Sequence, residues 1–335
     1  MKKSPYYYQQ RSRQENILNK TNIFEGASGN GVYWDKDNKS WSKEYPHILK
    51  HVDSLKNLFA PIRQEVLNYF DEYDIAWWGA ADDRYFPTGN LLSSQIHCLN
   101  HLFAIRRDEN AVLSVIQKIC PEIKKVLPSP IDWHEYEFID DTPQKVRSFI
   151  SFEFALDNNN LLGERCCKRG KNCTSIDALV YAENDCGKRI LIGIEWKYTE
   201  SYDKTEEYRV DTGVVERRYL KLAKDEKSNL RGWPEEFYWD PLYEFARQTL
   251  LLEQIVAKKP NCGAFPIKAD DYYHIVVRPN ENKEIIGDIQ QFKDSLKDEG
   301  KKRIIEVSPQ ALLFPLQGND DYKELMEYLE TRYWK

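Results

Sequence analysis

Three charged side chains around one hairpin are the residues best placed to do chemistry. They lie in TSIDALVYAENDCGKRILIGIEWKYTE, Thr174–Glu200. Ile176, Ala178 and Val180 alternate with Asp177, Leu179 and Tyr181, as in a strand, and Asn184-Asp185-Cys186-Gly187 then breaks the pattern. Ile190 to Ile194 is an almost continuous apolar run, the pattern of a strand buried on both faces. Glu195 and Lys197 stand at its end with Trp196 between them. Residues two apart in a strand share a face and lie roughly 7 Å apart, so this carboxylate and ammonium point the same way. Charges in such a place are unfavourable unless paired or metal-bound. Asp177 reaches the same spot if the two strands pair.

Two carboxylates beside an ammonium suit the hydrolysis of a phosphodiester. A divalent cation neutralises charge on the phosphate and lowers the pKa of an attacking water. Hard cations take oxygen ligands, which Asp177 and Glu195 supply, and the Trp196 backbone carbonyl could add a third. Lys197 would hold the nucleophile or stabilise the developing negative charge. Magnesium is the expected ion, with manganese as a substitute. An acidic-x-basic triplet alone is more often a surface ion pair worth little. The apolar run, Asp177 and a downstream Asp-Pro helix start raise it above that.

The elements that must position these residues follow from periodicity. Val52 to Phe70 has helical spacing, and Ser93 or Ser94 caps a helix carrying Ile96, Leu99, Asn100 and Phe103. A second helix is expected over Ala111–Val126, and Val146–Leu156 has strand character. After the hairpin comes a charge-dense insertion, Ser201–Trp233, with a helix expected over Val214–Lys227. Asp240-Pro241 marks the start of a helix running to about Val256. Tyr272–Val277 is a strand, followed by a helix near Ile285–Leu296, a strand at Arg303–Val307 and a helix at Asp321–Tyr333. Residues 1–60 show little periodicity. The expected fold is one mixed α/β domain, with residues 91–277 as core, an N-terminal helical and irregular extension over 1–90, and a C-terminal strand and helices over 278–335.

Helix, three strands, helix, strand, with seventeen residues between Asp177 and Glu195-x-Lys197, resembles the PD-(D/E)XK nuclease superfamily. That resemblance implies a restriction-endonuclease-like αβββαβ core and a metal-dependent endonuclease acting on DNA, with restriction or defence as the expected setting. The chain is more closely similar to an uncharacterised bacterial branch, through LLSSQIHCLNHL (Leu91–Leu102), CTSIDALV (Cys173–Val180), IEWKYTE (Ile194–Glu200) and DPLYEFARQTLLLEQ (Asp240–Gln254). It further implies a polar residue reaching the site from the helix after the Glu-x-Lys strand, for which Gln248 is the candidate. Some members bring one more acid from upstream, here Glu153 or Glu164. One departure is Ile176, where the superfamily carries Pro before the Asp. A non-catalytic nucleic-acid-binding or scaffolding protein on the same fold, or a hydrolase acting on RNA, would share these features.

The remaining signals set limits. Formal charge is −6, from 48 basic and 54 acidic residues, which argues against a chain that coats nucleic acid non-specifically but allows a local basic groove. Arg165, Lys168, Arg169 and Lys171 form such a loop just before Asp177, and Arg217, Arg218, Lys221, Lys224, Lys227 and Arg231 concentrate charge on the insertion. Seven cysteines in no regular framework, with no apolar leader, indicate reduced thiols and a cytoplasmic protein with no membrane segment. Cys166-Cys167, Cys173 and Cys186 lack the paired spacing of a zinc site. His97/His101 and His47/His51, each four apart, are expected on helix surfaces. Oligomeric state is not legible.

Overall fold

The apolar run ending at Glu195 is the central strand of the molecule. The computed structural model describes residues 3–35, 40–79, 86–131, 136–139, 142–145, 147–156, 161–164, 169–170, 173–202, 204–262 and 265–334. Its main sheet is built from β1 (Ile123–Leu127), β2 (Ile150–Phe154), β3 (Ile176–Asn184), β4 (Arg189–Trp196), β5 (Asp271–Val277) and β6 (Ile304–Val307). The order is β6-β5-β4-β3, and β1 and β2 share the far edge of β3. β3 and β4 form an antiparallel hairpin with Ala178 opposite Ile194 and Glu183 opposite Arg189. β5 joins β4 in parallel, and β6 joins β5 in parallel. The hairpin turn is held by Asn184, whose Oδ1 accepts from the amides of Cys186 and Lys188, while Gly187 supplies φ +75°.

Every residue of β4 after Arg189 is buried, as expected for a strand covered on both faces. One face packs on α2 (Arg63–Glu72), α3 (Ser94–Leu102) and α4 (Glu109–Gln117), through Val66, Phe70, Ile96, Leu99 and Val112 against Ala178, Val180, Ile192 and Ile194. The other packs on α5 (Leu242–Lys258) and α6 (Ile286–Asp294), through Phe245, Leu252 and Phe292 against Ile176, Leu179 and Leu191. This is a mixed α/β architecture, a mixed sheet between helical layers with a restriction-endonuclease-like core. The order α3, β2, β3, β4, α5, β5 follows the expected αβββαβ path, and β1 is an addition to it.

β1 replaces the second half of the helix expected over Ala111–Val126. Pro121 removes an amide donor and disfavours helix at Cys120, so α4 ends at Gln117 and the chain re-enters the sheet at Ile123. Pro61 likewise divides the helix expected from Val52 to Phe70 into short 3₁₀ turns and α2. The helix expected at Val214–Lys227 is two short pieces, Thr212–Arg218 and Leu220–Ala223. Residues 1–60, which show little periodicity, contain the helix Pro5–Lys20, capped by Ser4 with Pro5 as its first residue. Its buried stripe is Tyr6, Gln10, Gln14 and Ile17. The two glutamines hide the hydrophobic period. Gln14 Nε2 donates to the Arg332 carbonyl at 2.9 Å, so the two ends of the chain meet. No helix among the described residues is long and apolar enough to cross a membrane.

Candidate active site

A register between one helix and one strand builds the centre of the site. Along a strand every second residue shares a face and rises about 6.6 Å, while four residues of helix rise about 6 Å. Gly193, Glu195 and Lys197 therefore run in step with Leu252, Gln248 and Glu244 on α5. A Cβ on Gly193 would sit 3.0 Å from Leu252 Cδ1, so the bare glycine is what lets α5 come this close. Gln248 Nε2 donates to Glu195 Oε2 at 2.5 Å and to the Ser175 carbonyl at 2.9 Å. Lys197 Nζ lies 2.5 Å from Glu195 Oε1 and also pairs with Glu244 Oε2.

Behind Gln248 the chain of bonds continues. Gln248 Oε1 must accept, because its amide nitrogen already donates twice, so His274 Nε2 at 3.1 Å is the donor. His274 Nδ1 then accepts from Thr249 Oγ1 at 3.0 Å. Burial pushes His274 down to about 4, in keeping with this neutral tautomer. The network fixes the Gln248 amide and, through it, the Glu195 carboxylate.

Asp177 and Glu153 arrive through a break in alternation. In a regular strand residues two apart share a face. Here Ile176 packs in the α5 layer and Ala178 in the opposite one, and Phe154 and Phe152 of β2 are divided in the same way. Glu153, between the last two, has φ +47°, a conformation that non-glycine residues adopt rarely and usually for a reason. The β3–β4 pairing ends at Ala178 opposite Ile194, and the Trp196 amide beyond it donates to Asp177 Oδ2 at 2.6 Å. Glu153 Oε1 accepts from Gln95 Nε2 at 2.7 Å, and Gln95 also donates to the Ala76 carbonyl and accepts from the Trp78 amide.

The electrostatics are unbalanced toward negative charge. Burial, then Glu153, push Asp177 well above the usual carboxylate range despite Lys197. Burial, then Asp177 and Glu244, do the same to Glu195. Burial and the Glu195 charge raise Glu153 to about 7, with Gln95 opposing. Lys197 stays charged: burial disfavours its ammonium, but Glu195 and Glu244 outweigh that and hold it well above the usual lysine range. Glu244 is the exception among the acids, pushed up by burial but brought below its ordinary value by Lys197. Among the described residues no group of three His, Cys, Asp or Glu side chains forms a metal cage.

The family model described as Restriction Endonuclease associating with ARP matches residues 11–334. The chain belongs to this family. No curated protein and no solved structure matches it. Membership gives a nuclease-related role, and the match takes in the whole Glu153–Gln248 constellation.

Within this restriction-endonuclease family member, the other expected site residues lie elsewhere. Glu164 accepts from the Thr174 amide and hydroxyl and from the Tyr219 hydroxyl, each at 2.6 Å, tying the insertion to the start of β3. Glu153 is thus the upstream acid that stands beside Asp177. Arg169, expected on a phosphate-gripping loop, is instead only 5% exposed and turned inward. Its guanidinium donates to the Phe152 carbonyl at 2.5 Å and to the Glu153 carbonyl at 3.2 Å, bracing the irregular end of β2. Arg165, Lys168 and Lys171 lie outside the described residues, as do Cys166 and Cys167. Arg217, Lys221, Lys224, Lys227 and Arg231 are exposed on the insertion. Trp196 is buried, with its indole nitrogen 2.5 Å from His97 Nδ1. His97 and His101 are buried among aromatic rings rather than on a helix surface, and burial pushes His101 to about 3.

Glu244, Gln95 and His274 were not anticipated. Glu244 was within reach, since it precedes Gln248 by four residues and must share its helix face. Nothing in the sequence marks Gln95 or His274, because their roles depend on non-local partners.

Proposed function

We propose that the chain is a divalent-cation-dependent nuclease of the PD-(D/E)XK type that hydrolyses DNA, in restriction or defence. The observation that carries this is the convergence of half-buried Asp177 and buried Glu195, with Asp177 raising Glu195 and a charged Lys197 bonded to Glu195. The residues fit a hard cation such as magnesium: the donors are carboxylate oxygens in negative excess, and such an ion needs only one or two carboxylates besides water and substrate oxygens. Asp177 and Glu195 would hold it, with Glu153 beside them. When bound, the ion would neutralise phosphate charge and lower the pKa of its water.

The chain's own residues do the positioning. The Trp196 amide holds Asp177, and Gln248, backed by His274 and the Ser175 carbonyl, orients Glu195. Lys197 stays protonated, so its part is to donate hydrogen bonds to the incoming oxygen nucleophile and to the negative charge that grows on the phosphate. It does not act as a base. A water attacks phosphorus, the P–O bond to the leaving oxygen breaks, and the proton lost by water passes to solvent or to a neighbouring carboxylate.

The test uses purified protein with plasmid DNA and magnesium, manganese or EDTA. Cleavage with either metal and none with EDTA is expected, falling at least about a thousandfold in Asp177→Asn and in Lys197→Ala. Equal cleavage by both variants, or by wild type in EDTA, would overturn the assignment.

A further inference from the structure

Two adjacent tryptophans at the rim of the site are used in opposite ways. Trp77 is buried and stacks on Phe70, with ring centroids 3.8 Å apart and planes 16° apart. Trp78 is 51% exposed. Gly79 follows with φ +69°, and Thr88 Oγ1 donates to its carbonyl at 3.2 Å. An exposed indole is unfavourable to leave in water and is normally mobile. This one is fastened at two points. Its amide donates to Gln95 Oε1 at 2.9 Å, and its indole N–H donates to the Glu153 carboxylate. Gly170, at φ +74°, closes over the pair, where a Cβ would lie 2.9 Å from Glu153 Oε2 and 3.3 Å from Trp78 Nε1.

The N–H is therefore committed to Glu153, and the ring face is what Trp78 offers outward. A rigid, exposed aromatic face beside carboxylates that would surround a scissile phosphate matches a nucleobase, since every base has a π-face. Bases inside a paired duplex present no free face. We propose that Trp78 is the stacking platform for an unpaired base next to the scissile phosphate, so that the site takes single-stranded or locally unpaired nucleic acid. This rests on the nucleic-acid reading of the site, and it narrows the substrate class.

The test is binding in EDTA, where no cleavage is required. Fluorescein-labelled 20-mers, single-stranded, fully paired, or paired with a central bulge, are titrated against wild type, Trp78→Ala and Trp78→Phe by anisotropy. Wild type is expected to favour the single strand and the bulge over the duplex at least about tenfold, and Trp78→Ala to lose about tenfold on those two alone. Trp78→Phe keeps a ring face and should stay within about threefold of wild type, which loss of a merely structural contact to Glu153 would not allow. Equal binding of duplex and single strand by wild type, or unchanged binding by Trp78→Ala, overturns the proposal. A strand preference without any metal-dependent cleavage would remove the hydrolytic reading and leave this one standing. Cleavage of duplex plasmid at full rate with no strand preference would do the reverse.

Discussion

Replacing Glu153 by Gln isolates the electrostatic strain in the site. The Glu153 carboxyl is 4% exposed and has its pKa raised from 4.5 to about 7, by burial and then by Glu195. An unfolded chain releases this proton above about 4.5, whereas the folded protein keeps it until about 7, so between those values the folded state binds more protons. Stability from this group is intact below about pH 4.5, falls as pH rises, and is gone above about 7. A rise of that size corresponds to about 3 kcal/mol, of which about 2.5 kcal/mol falls between pH 5 and pH 8. Asp177 and Glu195 are raised in the same direction, whereas buried His101 and His274 are pushed down and act oppositely, so the comparison that isolates Glu153 is the difference between wild type and variant. The Gln variant carries a separate penalty, because its NH₂ must face either the Gln95 amide or the Trp78 indole, both donors. That mismatch costs about 1–3 kcal/mol at every pH. The slope is therefore the diagnostic quantity. Urea unfolding in EDTA at pH 5, 6, 7 and 8 should show the stability of Glu153→Gln, measured against wild type at each pH, rising by about 2 kcal/mol over the range. Parallel curves, offset but equally steep, would refute the argument.

Three further outcomes follow from the same geometry. Glu244→Gln takes one of two carboxylate partners from Lys197, so burial gains the upper hand and the lysine pKa falls. The alkaline limb of the cleavage pH profile should move to lower pH with activity down about 10- to 100-fold, and an unmoved limb would count against a role in keeping the lysine charged. Gly170→Ala meets both a positive φ and a Cβ contact of 2.9 Å with Glu153. It should lower stability by about 1–3 kcal/mol in thermal unfolding and cut activity as well, by displacing Glu153. Arg169→Ala should cost about 3 kcal/mol, because the Phe152 and Glu153 carbonyls lose a buried charged donor. Its DNA binding should keep the salt dependence of wild type, since the guanidinium faces inward. A shallower salt slope in that variant would restore it to the phosphate-gripping loop.

What was legible in the sequence is what has a short period. Glu195 and Lys197 stand out because they end an almost continuous apolar run and Asp177 because it lies among apolar residues on the preceding strand, and the antiparallel pairing then brings Asp177 to the strand end where Glu195 lies. Gln248 followed from the family resemblance, which implies a polar residue on the helix after the Glu-x-Lys strand, and the helical period of four from it reaches Glu244. The choice between Glu153 and Glu164 could not be made from pattern. It turns on one residue at φ +47° that swaps the faces of β2, and no propensity encodes that swap. Arg169 illustrates a different limit, since a run of basic residues reads as a solvated face whether or not one guanidinium turns inward. Helix α1 (Pro5–Lys20) escaped because Gln10 and Gln14 fill its buried stripe, and their partners, Tyr198 and Arg332, lie far along the chain. Pro121, by contrast, was a local signal and sufficed to end α4.

Two other buried acids show what a purely structural carboxylate looks like in this fold. Glu253 accepts from the Asn229 amide and the Tyr272 hydroxyl on one oxygen and from the Ser228 hydroxyl on the other. Glu164 is held by three donors from Thr174 and Tyr219. Both are satisfied mostly by neutral groups. Glu153, Asp177 and Glu195 are different, since each is raised in part by one of the others. Lys197 is already shared with Glu244, and Arg169 is a second cation, acting on Glu153. Ion pairs that serve stability match charge to charge, because a buried surplus only weakens the fold. Here the surplus is assembled from β2, β3, β4 and α5, with a bare Gly193 to admit the helix and a left-handed Glu153 to aim the acid. Packing alone asks for neither feature, whereas a site that must attract a cation asks for both.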